Sequence, residues 1–342
     1  MRFNFSKIIF LSLLIACQKA PVDQVDPLVV TEPVVYDSDD PAIWIHPERP
    51  EESLILGTDK KENENGAVFV FDLNGKIVKV IEGLDRPNNI DLRQGVVLGE
   101  DTLDIAVVTE RGKSQIRVIK LPELQFIDGG GIPVFEESSA RAVMGVALYK
   151  RPSDNAVFAA VSRKENAGEK YLYQYQLLSD SGVVSGELIR KFGEFSGTKE
   201  VEAIAVDDEK GFLYYSDEHC CIRKYFADPD KGNEELVVFG QEGFADDREG
   251  ISIYKQGSGG YLIISDQGAN SFRFYSRNEP HDFLASVDVQ AMQSDGSEVT
   301  NIALSPNYPE GLFVAMSDNK TFEIYDIRDL LKSVDSKLAA TK

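Results

Sequence analysis

The order of apolar and polar residues along the chain forms a repeat. Short segments open with a polar or small residue and continue as an alternation of apolar and polar positions with a period of two, which is typical of a β-strand. Six openings lie at residues 39–45, 87–90, 143–146, 201–204, 248–251 and 299–302. Each opening is predicted to start the first strand of one structural unit.

Two further apolar segments follow each opening. The second segment ends near a hydroxyl or charged residue, at 54–59, 105–110, 158–163, 212–217, 261–266 and 312–318. The third lies at 68–72, 116–120, 171–175, 222–226, 272–276 and 322–326. Units of roughly 50 residues that hold several short strands separated by turn residues are typical of β-propeller blades.

We therefore predict an all-β fold, a six-bladed β-propeller with four antiparallel strands per blade. Fourth strands are visible at 77–81, 187–192, 235–239 and 283–289. The last unit lacks one, because residues 328–342 have the pattern of a short helix and a tail. Residues 28–35 are predicted to supply this missing outer strand, which would close the ring and cover a sheet edge.

The first residues have a different character. Residues 1–17 combine two positive charges, a short apolar run and a cysteine, as in a bacterial lipoprotein signal with Cys17 as the acylated residue. Residues 18–27 are predicted to be a polar tether, and 28–342 a single propeller domain. We expect an exported lipoprotein of the outer membrane, facing the periplasm or the cell surface, that contacts the membrane only through Cys17.

The composition limits the classes of partner. The chain has 342 residues, 42% of them hydrophobic, and a formal net charge of −21. Such a charge argues against nucleic acid as a partner, because phosphate backbones are bound through Lys and Arg. It is compatible with solubility outside the cytoplasm and with binding of hard cations through carboxylate oxygens.

Cysteine and histidine chemistry is predicted to be minor. Cys220 and Cys221 are expected to be two ordinary thiols, with a vicinal disulfide as the alternative. His46 and His281 are expected at the surface, and His219 at the mouth of the channel. Neither an Arg-His-Gly run nor a Cys-x₅-Arg run is present, so covalent catalysis by His or Cys is not expected.

The polar residues collect at two places in the repeat. The innermost strand of a blade lines the central channel, and neighbouring strands are antiparallel, so the start of the first strand and the end of the second share one face. The openings contribute Asp37, Asp39, Asp40, Asn88, Asn89, Glu202, Asp246, Asp247, Glu249 and Asn301. The ends of the second strands contribute Asp59, Lys60, Lys61, Glu110, Arg111, Arg163, Lys164, Asp217, Glu218, Asp266, Gln267 and Asp318.

Two interpretations of this mouth are open. It could be a solvated polar rim, as loop ends often are. Alternatively, crowded carboxylates would repel one another unless metal neutralised them, and oxygen ligands with few His and Cys favour Ca²⁺. The interleaved Lys and Arg then suggest an anionic substrate such as a phosphoester.

At these residues the chain resembles the β-propeller phytases. The resemblance rests on residues 37–44, 58–61, 87–93, 104–111, 201–209, 249–251 and 267–271. It implies a propeller that uses several Ca²⁺ ions to hydrolyse phosphomonoesters of phytate by direct attack of a metal-bound water. Met144 stands where the family has Tyr, and Asp217 where it has Glu.

The resemblance also implies residue roles. The implied Ca²⁺ ligands are Asp39, Asp40, Glu202, Asp217, Asp247, Glu249 and Asp295. The implied catalytic residues are Glu202, Glu249 and Asp217, and the implied substrate-binding residues are Lys60, Lys61, Arg111, Lys164 and Gln267. The alternatives are a Ca²⁺-dependent propeller lactonase or esterase, and a binding propeller without enzymatic activity. We expect a monomer.

Overall fold

The computed structural model describes residues 24–166 and 168–340. The predicted signal segment, Cys17 and most of the tether lie outside these residues. The described residues form six sheets arranged as the blades of a propeller, which confirms the predicted fold class. The innermost strands contact one another in ring order, and the first blade meets the sixth to close the ring.

The strands follow one another from the channel outwards in each blade. The chain first forms β1 (Val29–Val30). The first blade contains β2 (Ser38–Trp44), β3 (Leu54–Asp59), β4 (Gly66–Asp72) and β5 (Ile77–Leu84). The second contains β6 (Pro87–Leu98), β7 (Asp101–Glu110), β8 (Gln115–Leu121), β9 (Gln125–Phe126) and β10 (Ile132–Pro133), with β9 and β10 both pairing with β8.

The remaining blades have the same plan. The third contains β11 (Val143–Lys150), β12 (Val157–Arg163), β13 (Leu172–Asp180) and β14 (Val183–Phe192), and the fourth β15 (Ile204–Asp207), β16 (Phe212–Asp217), β17 (Cys221–Phe226) and β18 (Val237–Phe239). The fifth contains β19 (Arg248–Gln256), β20 (Gly259–Asp266), β21 (Ser271–Ser276) and β22 (Phe283–Asp288), and the sixth β23 (Ser297–Val299), β24 (Leu312–Ser317) and β25 (Thr321–Asp326).

The ring closes as predicted. β1 pairs antiparallel with β25, with Val29 opposite Ile324, and so supplies the outer strand of the sixth blade. Helix α1 (Ile327–Ala340) follows and buries Leu330 and Val334. The helix packs on β22 and β25, where a solvated sheet edge would otherwise be free to pair with another chain.

The core lies between the blades. Each sheet is covered on both faces by its neighbours, which explains why residues 105–108 of β7 are consecutive apolar residues and are all fully buried. One apolar cluster joins Trp44 and Val68 of the first blade to Leu92 and Val108 of the second. This packing fixes the positions of the innermost strands and therefore the positions of the loops at their ends.

Three sequence-based predictions are wrong. The innermost strand of the sixth blade begins at Ser297, so Asn301 lies beyond its far end, where its side chain donates a hydrogen bond to the Lys255 carbonyl at 2.9 Å. His281 is buried rather than exposed, because it stacks on Phe239 at a ring-centroid distance of 4.8 Å. Cys220 and Cys221 form a vicinal disulfide instead of two thiols.

Candidate active site

A group of acidic side chains covers the mouth of the channel at the start of the innermost strands. We call it the acidic floor, and it consists of Asp39, Glu202, Glu218, Asp247, Glu249 and Asp295. Asp39 is fully buried, and the four residues from Glu202 to Glu249 are at most 9% exposed. These residues come from four blades, so only the closed ring brings them together.

Glu218 is the centre of the acidic floor. Its carboxylate forms one group with Glu200 and Glu202 and a second group with Asp247 and Glu249, and within each group the oxygens lie within 4.8 Å of one another. Glu218 is thus shared by two potential cation sites. It lies in the turn after β16, and its carbonyl accepts a hydrogen bond from the Arg248 amide at 3.2 Å, which ties this turn to the fifth blade.

The acidic floor has unfavourable electrostatics without a cation. Burial, followed by repulsion from neighbouring carboxylates, raises the pKa of Glu202 and Glu249 well above the ordinary value. Burial and the nearby Glu200 raise the pKa of Glu218 to about 8. Burial raises the pKa of Asp295 to about 6, although Lys60 opposes the shift. Protonation of these carboxyl groups, or binding of cations between them, would remove the repulsion.

Several oxygens at the mouth have no hydrogen-bond donor. Among the described residues, Glu218 Oε1, Glu249 Oε2 and Asn88 Oδ1 are buried and unpartnered. The Asn88 amide group donates to Asp39 Oδ2 at 2.9 Å and to Glu202 Oε1 at 3.2 Å, so its carbonyl oxygen is left over. Buried acceptors of this kind normally have a partner, and a hard cation would provide one.

The structure places the carboxylate of Asp217 apart from the acidic floor. Its carboxylate accepts hydrogen bonds from the Ser196 amide at 2.8 Å, the Ser196 hydroxyl at 2.6 Å and Arg223 Nε at 2.9 Å. Both oxygens are therefore occupied away from the acidic floor. Successive side chains point to opposite sides at a strand end, and the next residue, Glu218, is the one that faces the acidic floor.

Asp40 also lies apart from the acidic floor. It lines a cavity of about 320 Å³ inside the channel, together with Asn89, Asp91 and Glu298. Its Oδ2 accepts a hydrogen bond from the Ile90 amide at 3.0 Å. Burial, followed by the neighbouring Asp39 and Glu298, raises its pKa. As with Asp217 and Glu218, two adjacent acids in the sequence face different spaces.

Three of the predicted substrate-binding residues contact carboxylates. Lys60 Nζ lies 3.0 Å from Asp39 Oδ1 and 3.1 Å from Asp295 Oδ2. Burial alone would favour the neutral amine, but these carboxylates raise the pKa of Lys60. Gln267 Nε2 donates to Asp295 Oδ1 at 2.6 Å, and Lys164 Nζ lies 2.8 Å from Glu200 Oε2. These side chains hold the rim of the acidic floor in place.

The other two predicted substrate-binding residues make direct contact with uncharged side chains. Lys61 lies over the ring of Tyr36, 5.1 Å from its centroid, and Arg111 Nη2 contacts Met144 Sδ. Within the described part of the chain, neither residue forms an ion pair, and Arg111 Nε has no acceptor. Their charges are therefore available to an anion.

Two residues that were not assigned a role also contact the acidic floor. Lys199 Nζ lies 2.8 Å from Asp247 Oδ2, and His219 Nδ1 lies 2.7 Å from Asp247 Oδ1. His219 was expected at the mouth, and the structure places it there. The sequence gives no signal for Lys199, because it lies in an irregular segment before the fourth blade and not in the repeat.

Comparisons with known proteins agree with this geometry. The phytase family model matches residues 16–338 of the chain. The 3-phytase of Bacillus subtilis (strain 168) is 33% identical over 305 residues, an alignment that covers 83% of this chain and 76% of the relative.

Solved structures match in fold at low sequence identity. The WD40 β-propeller domain of Doa1 is 14% identical with a TM-score of 0.50, and the match covers 83% of this chain and 77% of that one. A chain in the mitotic checkpoint complex is 8% identical with a TM-score of 0.52, covering 94% of this chain and 98% of that one. At these identities the likeness concerns the fold alone.

Proposed function

Because the chain belongs to the phytase family, we propose that it is a Ca²⁺-dependent enzyme that hydrolyses the phosphomonoesters of phytate, myo-inositol hexakisphosphate. Family membership makes the chain a phosphoric monoester hydrolase, in agreement with the resemblance seen in the sequence. The proposal goes beyond family membership in two parts, Ca²⁺ as the cation and phytate as the substrate. Both parts are argued from the side chains of the site.

The donor atoms of the acidic floor fit Ca²⁺. They are carboxylate and amide oxygens, some of them buried and unpartnered, and Ca²⁺ prefers such ligands in irregular arrangements of six to eight. The adjacent cysteines are joined in a disulfide and offer no thiolate to a softer metal. Glu218 with Glu202 and Glu200 would hold one ion, and Glu218 with Asp247 and Glu249 another.

When bound, the ions would supply Lewis-acid polarisation of a phosphoryl oxygen and of water. The protein's own residues would perform the remaining tasks. Lys60 keeps Asp39 and Asp295 in place and adds a positive charge at the edge of the acidic floor. Arg111 and Lys61, which lack ion pairs among the described residues, would bind phosphate oxygens through charge-assisted hydrogen bonds.

The observation that best supports the proposal is the sharing of Glu218 between two buried carboxylate groups. The test is phosphate release from phytate by the purified protein, with free Ca²⁺ varied and with EDTA as the metal-free control. We expect release that rises with Ca²⁺ and is absent in EDTA. Equal release in EDTA would contradict the role of the cation, and no release by folded protein at any Ca²⁺ level would contradict the substrate.

We also propose that the protein is exported and lipid-anchored at Cys17. The motivating feature is the sequence of residues 1–17. None of the described helices is long and apolar enough to cross a membrane. Cys17→Ser should move the protein from the membrane fraction to the soluble fraction, and unchanged membrane association would contradict the anchor.

A further inference from the structure

The vicinal disulfide lies in the same turn as Glu218. β16 ends at Asp217 and β17 begins at Cys221, and these two residues pair across the turn. The Cys220 amide donates a hydrogen bond to the Asp217 carbonyl at 2.7 Å, and the sulfur atoms of Cys220 and Cys221 are bonded to each other. We call residues 217–221 the disulfide turn. Its backbone determines both where the disulfide lies and where Glu218 points.

Both residues at the tip of the disulfide turn contact the acidic floor. Glu218 belongs to both carboxylate groups, and His219 Nδ1 lies 2.7 Å from Asp247 Oδ1. The backbone of the tip is held from outside by hydrogen bonds. The Glu218 amide donates to the Glu200 carbonyl at 3.3 Å, and the Glu218 carbonyl accepts from Arg248 Nη1 at 3.0 Å. The geometry of the acidic floor therefore depends on the conformation of this turn.

The disulfide restricts the backbone of the turn from within. A bond between adjacent cysteines closes a small ring that contains their peptide group, so the soft dihedral angles on both sides of that group are fixed. Reduction opens the ring, and the hydrogen bonds of the tip then hold the turn alone. Contacts that orient a metal ligand typically change metal affinity by about 10- to 100-fold. The redox state of the disulfide is thus coupled to the position of Glu218.

The disulfide is open to solvent on one side only. Cys220 is partly exposed, whereas Cys221 is fully buried. A thiolate from outside can therefore reach the sulfur of Cys220 but not that of Cys221. Arg223 Nη2 lies 3.9 Å from Cys220 Sγ, and a positive charge at this position favours the thiolate that reduction releases. The two sulfurs thus differ in access, as a disulfide that exchanges with an external thiol requires.

We propose that the bond between Cys220 and Cys221 is a redox switch that sets the affinity of the acidic floor for Ca²⁺, with a dithiol as the reductant. A thiolate of the dithiol attacks Cys220 Sγ, the sulfur–sulfur bond breaks, and Cys221 leaves with the electron pair and takes up a proton. The second thiol of the reductant then attacks the mixed disulfide and releases Cys220, and the reductant becomes a disulfide. This inference rests on the proposed function and adds its regulation.

Calorimetry of Ca²⁺ binding to the full-length protein tests the switch, with dithiothreitol as the reductant. We expect reduction to raise the dissociation constant for Ca²⁺ at the acidic floor by about tenfold or more, and reoxidation to restore it. Alkylation and mass spectrometry of the folded protein verify that Cys220 and Cys221 are reduced. Equal dissociation constants for the fully reduced and the oxidised protein would overturn the inference.

The double variant Cys220→Ser/Cys221→Ser is the matched control. It cannot form the disulfide but keeps Cys17, so it reports every other effect of dithiothreitol. The variant should bind Ca²⁺ as weakly as the reduced wild type does, and dithiothreitol should not change its affinity. It should remain folded, because a disulfide that closes so short a loop contributes little to stability. If dithiothreitol weakens Ca²⁺ binding equally in the variant and the wild type, the disulfide is not the switch.

Phosphate release from phytate separates this inference from the proposed function. In an active enzyme, reduction should raise the Ca²⁺ concentration for half-maximal release by about tenfold and leave the rate at saturating Ca²⁺ nearly unchanged. Ca²⁺ binding that weakens on reduction, in a protein that does not hydrolyse phytate, supports the switch and contradicts the substrate. The same Ca²⁺ dependence of release in both redox states overturns the switch and leaves the proposed function intact.

Discussion

The carboxylate of Glu218, in a turn of the fourth blade, lies within 4.8 Å of the carboxylate of Glu249, on the innermost strand of the fifth blade. Both side chains are buried, and each has an oxygen without a hydrogen-bond donor. Two such acids do not both ionise in a water-poor site unless a cation lies between them or nearby. Glu218 and Glu249 lie close together because the closed ring places the fourth and fifth blades side by side, and neither blade forms the site alone.

Glu218→Gln tests the importance of the shared ligand. The amide keeps the size of the side chain but removes the charge, so we expect Ca²⁺-dependent phosphate release to fall by about 100-fold or more. In EDTA the melting temperature should stay the same or rise by a few degrees, because one repelling buried charge is gone. Kinetics and thermal melts check both parts. A variant as active as the wild type would show that Glu218 is not a ligand.

Asp217→Asn is the matched substitution at the neighbouring acid. Asp217 is fully buried against Arg223, and breaking a buried pair is strongly destabilising. We expect the free energy of unfolding to fall by about 2–4 kcal/mol, because Arg223 loses one of its two carboxylate partners and keeps Glu235. The Ca²⁺ concentration for half-maximal activity should not change. A large rise in that concentration with normal stability would return Asp217 to the ligand set.

The pH dependence of stability tests the channel acid Glu298. Burial, then repulsion from Asp91, raises its pKa from 4.5 to about 7, while Arg93 and Lys255 oppose the shift. The folded protein therefore keeps a proton that the unfolded chain releases near pH 4.5. The contribution of Glu298 to the free energy of unfolding should be fully present below that pH and be lost as pH rises through about 7.

Glu298→Gln removes this titration. In EDTA, the variant should lose part of the decrease in stability between pH 4.5 and 7 and be more stable than the wild type at pH 8 by about 1–2 kcal/mol. Chemical denaturation at several pH values measures the difference. Parallel curves for the two proteins would show that Glu298 ionises normally in the folded state.

The vicinal disulfide predicts the thiol content of the protein. Cys220 and Cys221 are bonded to each other, so unfolded but unreduced protein should not be alkylated at either residue. After reduction both should react, and mass spectrometry of the peptide should show the difference. The stability gained from so short a loop should be small. Alkylation of both residues without reduction would restore the interpretation as two free thiols.

The repeat in the sequence was sufficient to predict the architecture. Alternating and continuous apolar segments indicate which positions are buried. This pattern was enough to predict the blades, the closing strand at Val29 and the face that holds the polar residues. Strand boundaries were less certain, as Asn301 shows, because the innermost strand of the sixth blade is only three residues long. The direction of the chain through each blade then decides which residues reach the mouth.

The details of the site depend on contacts that the sequence does not encode locally. Asp217 and Glu218 are adjacent acids, and only the positions of Ser196 and Arg223 determine which of them faces the acidic floor. His281 is buried because Phe239 of another blade packs on it.

The most direct measurement is the anomalous X-ray signal of a crystal grown with Ca²⁺. We expect two calcium peaks that flank Glu218, one on the side of Glu202 and one on the side of Asp247 and Glu249, and neither beside Asp217. Absence of any peak under saturating Ca²⁺ would show that the acidic floor does not bind the ion. A calcium ion bound to Asp217 in place of Glu218 would show that the shared ligand is misassigned.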